Sequence, residues 1–352
     1  MNSQIKKPAI GWTCTYLPLE IIHAAGFLPY RIIGNYDSFQ LADSIVPSNY
    51  CPYIRNCLDV ALRGEYHFLN GVIMTDSCHA GELLYDAWRH YTNTDYVYLL
   101  DVPRIVNDDS IKIFQIRLQN FIVNFENHFS IKITEQSLFD AAALYNKNRA
   151  LLENLYNLRK LENPPITGLE MIQIMNKNWI MDIESFNNYL QHFLSVIENN
   201  PNKADLKNRK RIMLMGGKIS HPELIKIIED DGDAVIVFED ICTYYRYFDR
   251  ATETDQDILY SLSKRYLSKI PCPRMMDDGT RWNAISKIID EYTIDGVIYH
   301  SLKFCVTNSI KALTLKEQIH EIGKPFLYIE GDYTLNCIEQ LRTRIRTFLD
   351  LI

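Results

Sequence analysis

The chain has no apolar run approaching the roughly 18 residues of a membrane span, and no apolar stretch stands behind the lysines of Met1-Asn2-Ser3-Gln4-Ile5-Lys6-Lys7. Neither a spanning helix nor a secretory signal is expected, so the expected compartment is the cytoplasm. Basic runs are missing too. The formal charge is −7, and no basic helix interleaves with aromatics, which argues against nucleic acid as a partner. No Cys-x-x-Cys pair and no His-x3-5-His pair occurs, so the common zinc frameworks find no support. Gly216-Gly217 lacks both the G-x-G-x-x-G and the G-x4-G-K-[ST] spacing, and reads as a tight turn rather than a phosphate loop.

What is present is ordinary for a globular chain: 47% apolar and 23% charged residues over a length that allows two domains, each with its own core. The 22 tyrosines are scattered and suit core-edge packing. Eight cysteines in a chain expected to be cytosolic argue against a disulfide framework and leave thiols available as ligands.

The pattern predicts an α/β protein of two wound parallel-sheet domains with a helical connector: a first α/β domain over 1–105, the connector over 106–205 and a second α/β domain over 206–352. In the first, Pro18 to Gly26 reads as a helix with proline near its start and glycine as its stop. Strands are expected at Leu28 to Ile33, Gly71 to Thr75 and Tyr96 to Leu100. From Ile111 to about Asn199 helical spacing dominates, and the polar, breaker-rich Asn199-Asn200-Pro201-Asn202-Lys203 marks a boundary. Strands follow at Arg211 to Gly217, Ala234 to Phe238, Gly296 to His300 and Pro325 to Ile329, each pair separated by enough chain for a helix, which implies a parallel sheet. Functional residue types crowd the ends of these strands: Gly216-Gly217, Glu239 to Cys242, His300 to Cys305, and Glu330 to Asp332.

Three cysteines are placed to meet at such an edge. Cys78 and Cys305 each follow a short Gly-Val-Ile strand, and Cys51 sits in the Pro-punctuated Val46 to Tyr53. Their spacings of 27 and 227 residues suit a metal or redox site gathered by folding. Three thiolates on a cluster of four irons would leave one iron open to act as a Lewis acid or electron carrier. The same thiols could equally pack as small hydrophobes, as Cys14 and Cys337 are expected to do.

Gly11-Trp12-Thr13-Cys14-Thr15-Tyr16-Leu17-Pro18-Leu19-Glu20 with His23 to Pro29 resembles the opening of the 2-hydroxyacyl-CoA dehydratase and benzoyl-CoA reductase family. Further landmarks fall in order: Asn49 to Tyr53, Thr75 to Cys78, Asp240 to Thr243, Pro271 to Arg274, Asp295 to Ile298, Leu302 to Cys305, Glu330 to Tyr333 and Gln340 to Arg344. The resemblance spans nearly the whole chain. It implies a 4Fe-4S cluster held between two α/β domains by three cysteines, here Cys51, Cys78 and Cys305. It also implies an ATP-hydrolysing iron-sulfur activator that donates one electron, an acyl-CoA substrate carried through radical dehydration or reduction, and a dimer with a related subunit or itself.

Within that resemblance Glu20 is a candidate acid/base or cluster-adjacent residue, though a first-turn acid favoured by the helix dipole reads as well. His300 could donate to the thioester or hydroxyl, or be a satisfied strand-end histidine. Arg274 and Lys303 could meet CoA phosphates or stay solvated. Thr243-Tyr244-Tyr245-Arg246 departs from the family's Thr-Gly-x-Arg, and the tyrosine is expected to fill space near the cleft. Catalytic subunits of the family also carry a helical region ahead of the Gly-Trp-Thr-Cys motif, which here begins at Gly11; that leaves room for a partner subunit or a non-catalytic iron-sulfur carrier.

A second group in the family holds an 8Fe-9S double cubane on six cysteines and reduces small molecules. Cys242 and Cys272 could supply two of the extra three and Cys57 the third, although Cys57 reads more plainly as an inward-packed helix residue. One three-cysteine cluster is the plainer expectation, with Cys242 and Cys272 lining the pocket or packing behind it. A cluster-free α/β binding module is the remaining reading.

Overall fold

Two four-stranded sheets, both wholly parallel, carry the chain, as the α/β reading requires. The computed structural model describes residues 7–35, 38–200, 205–219, 222–230, 233–333 and 338–352; Cys337 and the 201–203 part of the expected boundary lie outside them. The first sheet holds β1 (Ala9–Trp12), β2 (Leu28–Arg31), β3 (Leu69–Thr75) and β4 (Tyr96–Leu100) in the order β2-β1-β3-β4. The second holds β5 (Lys210–Gly216), β6 (Ala234–Asp240), β7 (Gly296–Leu302) and β8 (Phe326–Gly331) in the order β6-β5-β7-β8. The sequence pattern does not single out β1, because four residues with a glycine among them make a weak strand signal. It is nevertheless interior to its sheet. Pro29 is tolerated in β2 because that strand lies at an edge, where a missing N–H costs no ladder bond.

Parallel neighbours need crossovers, and helices supply them. In chain order these are α1 (Leu19–Ala24), α2 (Gln40–Asp43), α3 (Pro52–Leu62), α4 (His79–Tyr91), α5 (Asp108–Phe129), α6 (Glu135–Leu158), α7 (Gly168–Asn178), α8 (Ile183–Asn199), α9 (Glu223–Glu229), α10 (Tyr245–Phe248), α11 (Ile258–Leu267), α12 (Asp278–Glu291), α13 (Val306–Glu321) and α14 (Ile338–Asp350). The four that lie between the sheets in sequence start on local signals. Asn107 and Asp182 cap α5 and α8, and reciprocal capping boxes, Thr134 with Ser137 and Thr167 with Glu170, open α6 and α7.

These helices share their core with both sheets. One apolar cluster runs from Trp12 and Ile73 through Phe114, Phe121 and Leu155 to Met213, Val235 and Val297. A second covers the other face of the first sheet, where Val72 and Met74 meet Leu58 and Trp88. A shared close-packed core fixes the spacing of the sheets, and with it the cleft between their carboxyl ends.

Candidate functional site

In each sheet the chain leaves its first strand to one side and returns on the other, so β1/β3 and β5/β7 are points where the strand order reverses. Crossover helices then lie on opposite faces and leave a crevice at the carboxyl ends. The two crevices face each other. Thr13 to Tyr16 after β1, Ser77 and Cys78 after β3, Gly216 to Lys218 at the end of β5, and Leu302 and Cys305 at the end of β7 line one cleft with about 150 Å³ of room for water. Of the four strand ends expected to crowd together, that of β8 does not line the cleft.

Six cysteines line this cleft: Cys14, Cys51, Cys78, Cys242, Cys272 and Cys305, all free thiols and all partly accessible. Two expectations change. Cys57 is wholly buried on α3, its thiol pushed up to about 12 by burial, and it does not line the cleft. Cys14, assigned to packing, does line it, since the loop after the unanticipated β1 opens there.

The six fall into two sets of three. Cys51, Cys78 and Cys305 each stand immediately before a helix, at the N-caps of α3, α4 and α13. Free N–H groups and the helix dipole favour negative charge at such positions. Pro52 at the first turn of α3 supplies the preset φ that starts a helix there. Phe304 adopts a left-handed φ of 60°, which turns the chain from β7 into α13 and places Cys305. Burial pushes Cys51 up to about 12, with nearby Cys305 and Cys78 adding to it; burial also raises Cys78, against the pull of Arg274. Asn308 Nδ2 donates to Cys305 Sγ at 3.1 Å.

Cys14, Cys242 and Cys272 come from loops after β1, after β6 and between α11 and α12. Cys14 Sγ lies 3.1 Å from Ser77 Oγ, and the Cys272 N–H donates to Tyr16 Oη at 3.2 Å. Side-chain cations replace helix ends on this wall. Burial alone would raise Cys242, but Arg31, Lys218, Arg246 and Lys269 together bring its thiol below the ordinary value. Cys272 stays above its ordinary value through burial, although Arg246 opposes this.

No group of three His, Cys, Asp or Glu side chains among the described residues is arranged to hold one metal ion. Six soft donors drawn from six segments around one cleft are chemically suited to a sulfide-bridged iron group rather than to a single ion.

The other sequence candidates lie elsewhere. Glu20 is 0% exposed and does not line the cleft: Arg149 Nη2 donates to it at 2.5 Å and Tyr266 Oη at 2.7 Å. Burial opposes its ionisation, yet Arg149, Arg265 and the Tyr266 hydroxyl hold it below the usual carboxylate value. His300 is buried beneath Gly331, with Nδ1 unpartnered among the described residues, and does not line the cleft; burial lowers it to about 4. Arg274 does line the cleft, whereas Lys303 lies outside it, 3.9 Å from Asp332. Tyr244 is buried in the core and leaves the cleft open. Sequence reading misses Arg31 and Lys218. A lone arginine ending an edge strand carries no motif, and the Gly216-Gly217 turn before Lys218 draws notice only for itself.

The fold defines an α/β protein with six free cysteines lining a cleft between two parallel sheets. The sequence profile of the family described as "2-hydroxyglutaryl-CoA dehydratase, D-component" matches residues 14–352, and the chain belongs to this family. It is 26% identical to "Putative dehydratase subunit YjiM" of Escherichia coli (strain K12) over 98% of this chain and 91% of that protein. It is 25% identical to one of the subunits of the benzoyl-CoA reductase of Thauera aromatica, over 98% and 91% of the two chains. Identity is also 25% to the "(R)-phenyllactyl-CoA dehydratase beta subunit" of Clostridium sporogenes, over 99% and 93%. No helix among the described residues is long and apolar enough to cross a membrane.

Proposed function

We propose that the chain is a cytoplasmic iron-sulfur subunit of an enzyme for ATP-activated radical dehydration or reduction of an acyl-CoA thioester, with a 4Fe-4S cluster on Cys51, Cys78 and Cys305. The observation that carries this reading is the convergence of those three thiols, each at a helix start, on a cleft between the carboxyl ends of two parallel sheets. When bound, such a cofactor supplies one-electron reduction at low potential and an iron free to accept a substrate oxygen.

The chain's own residues would do the rest. The N-termini of α3, α4 and α13 favour the negative charge of the three thiolates. Asn308 orients the Cys305 sulfur. Arg274 offers a positive charge on the cleft lining. The apolar surroundings of the cleft limit water around a reactive intermediate. Relatives named as subunits support a partner, either a related subunit or a second copy, and an ATP-dependent iron-sulfur activator would deliver the electron.

A second reading, an 8Fe-9S double cubane reducing a small molecule, is favoured by one specific observation. Cys14, Cys242 and Cys272 make a second triad on the same cleft, where the sequence offers Cys57.

Iron and acid-labile sulfide per chain after anaerobic purification test both. About four irons, lost in Cys305→Ser and retained in Cys242→Ser, support the single cluster; about eight, halved in Cys242→Ser, support the double cubane. Iron present but no acyl-CoA-dependent spectral change with the activator would mark a carrier. No iron after reconstitution would overturn both readings and leave a binding module with packed cysteines.

A further inference from the structure

Arg149, Arg159, Arg246 and Arg281 are buried arginines, and each ion-pairs with a buried carboxylate. Arg31 is equally buried, at 0% exposure, and has no carboxylate partner among the described residues. Its guanidinium carbon lies 4.6 Å from the ring centre of Trp12 and 5.1 Å from that of Trp179. Nη2 donates to the Thr13 carbonyl at 3.3 Å and stands 4.0 Å from Cys242 Sγ; Nε and Nη1 have no partner among the described residues. Lys218 Nζ donates to the same Thr13 carbonyl at 3.0 Å, lies 3.3 Å from the centre of the Tyr53 ring, and likewise pairs with no described carboxylate. Two cations thus share one carbonyl oxygen behind a thiol. Burying charge this way is unfavourable unless a negative group compensates it, and aromatic faces offset only part of the cost. Negative charge on the Cys242 wall would provide the compensation.

We propose that Arg31, supported by the neighbouring Lys218, is a positioning residue whose fixed positive charge compensates a thiolate-bound, net-negative iron-sulfur group on the Cys242 wall and raises its reduction potential. This rests on the eight-iron reading of the proposed function, in which Cys242 holds iron. One-electron reduction adds negative charge, so a nearby cation stabilises the reduced form.

The test is an EPR-monitored redox titration of the anaerobically reconstituted protein, with iron counted in every sample. Arg31→Met keeps an apolar chain between the tryptophans and removes the charge; Arg31→Lys restores charge. The expected result is unchanged iron and, in Arg31→Met, at least a tenfold loss of the reduced form at fixed potential, a shift of about 59 mV to more negative values. Arg31→Lys should recover most of it. An iron-loaded Arg31→Met titrating with the wild type would overturn the proposal. So would loss of iron from both variants, since that marks a packing role, whereas loss from Arg31→Met with retention in Arg31→Lys supports it. If Arg31→Met fails to fold, Lys218→Met carries the same readout. A wild type without iron overturns this proposal together with the function it rests on. Four irons indifferent to Cys242→Ser end the eight-iron reading and this proposal with it, and leave the four-iron function standing.

Discussion

The two walls of the cleft are prepared for negative charge in different ways. On one, Cys51, Cys78 and Cys305 stand at the starts of α3, α4 and α13, where aligned backbone N–H groups supply the positive field. On the other, Cys14, Cys242 and Cys272 stand in loops, and buried basic side chains supply it: Arg31, Lys218, Arg246 and Lys269 around Cys242, and Arg246 beside Cys272, although burial lowers Lys218 to about 8 and Lys269 to about 7. Backbone dipoles come with the fold. Buried cations must be held there against desolvation, which makes the second wall more costly to build and more easily altered by single substitutions.

The largest expected effect is on iron content. The triple variant Cys51→Ser/Cys78→Ser/Cys305→Ser should lose all bound iron by colorimetric assay. The triple variant of Cys14, Cys242 and Cys272 should lose half under the eight-iron reading and none under the four-iron reading. Equal total loss in both triples would erase the distinction between the walls.

Next comes the contrast between paired and unpaired buried arginines. Glu20→Gln strands Arg149 and should destabilise the apoprotein by about 3–5 kcal/mol in urea unfolding. Arg31→Met removes an uncompensated charge and should be neutral or stabilising in the same apoprotein. A strongly destabilised Arg31→Met would show the tryptophan-sandwiched guanidinium to be a structural staple.

A smaller effect is expected where the walls meet. Gly216 has φ +112°, and a Cβ there would collide with the His300 carbonyl oxygen. Gly216→Ala should therefore cost about 1–3 kcal/mol and lower iron retention by displacing Lys218.

The smallest effect is a pH dependence. His300 is neutral in the fold, lowered to about 4 by burial, against an ordinary value of 6.5. Below pH 6.5 the unfolded chain takes up the proton that the native one refuses. Stability is therefore complete above that value and falls as pH drops toward 4. At pH 5.5 the loss should be about 1.4 kcal/mol, and His300→Gln should flatten it. An unchanged profile in the variant would assign the acid sensitivity elsewhere.

The three cysteines at helix starts are legible in the sequence because each follows or precedes an element with a strong local signal: the Gly-Val-Ile strands before Cys78 and Cys305, and the proline after Cys51. Cys14 is misjudged for the complementary reason. Its strand, Ala9–Trp12, gains its place from β2 and β3 on either side rather than from its own four residues. Glu20 looks functional within a familiar phrase, and the fold commits it to Arg149, which is 129 residues away and carries no motif.

Sequence by itself determined the α/β class, the run of strands and helices, and the family, and it singled out Cys51, Cys78 and Cys305 as candidates, because periodicity, turn residues and ordered phrases are local properties. Tertiary structure alone decided the strand order in both sheets, the meeting of their crevices, the place of Cys14 beside Cys242 and Cys272, and the cations behind them. Those depend on which side of a sheet each crossover takes and on which distant side chains share a buried volume, and both are settled only when the two sheets and the helices between them pack into a common core.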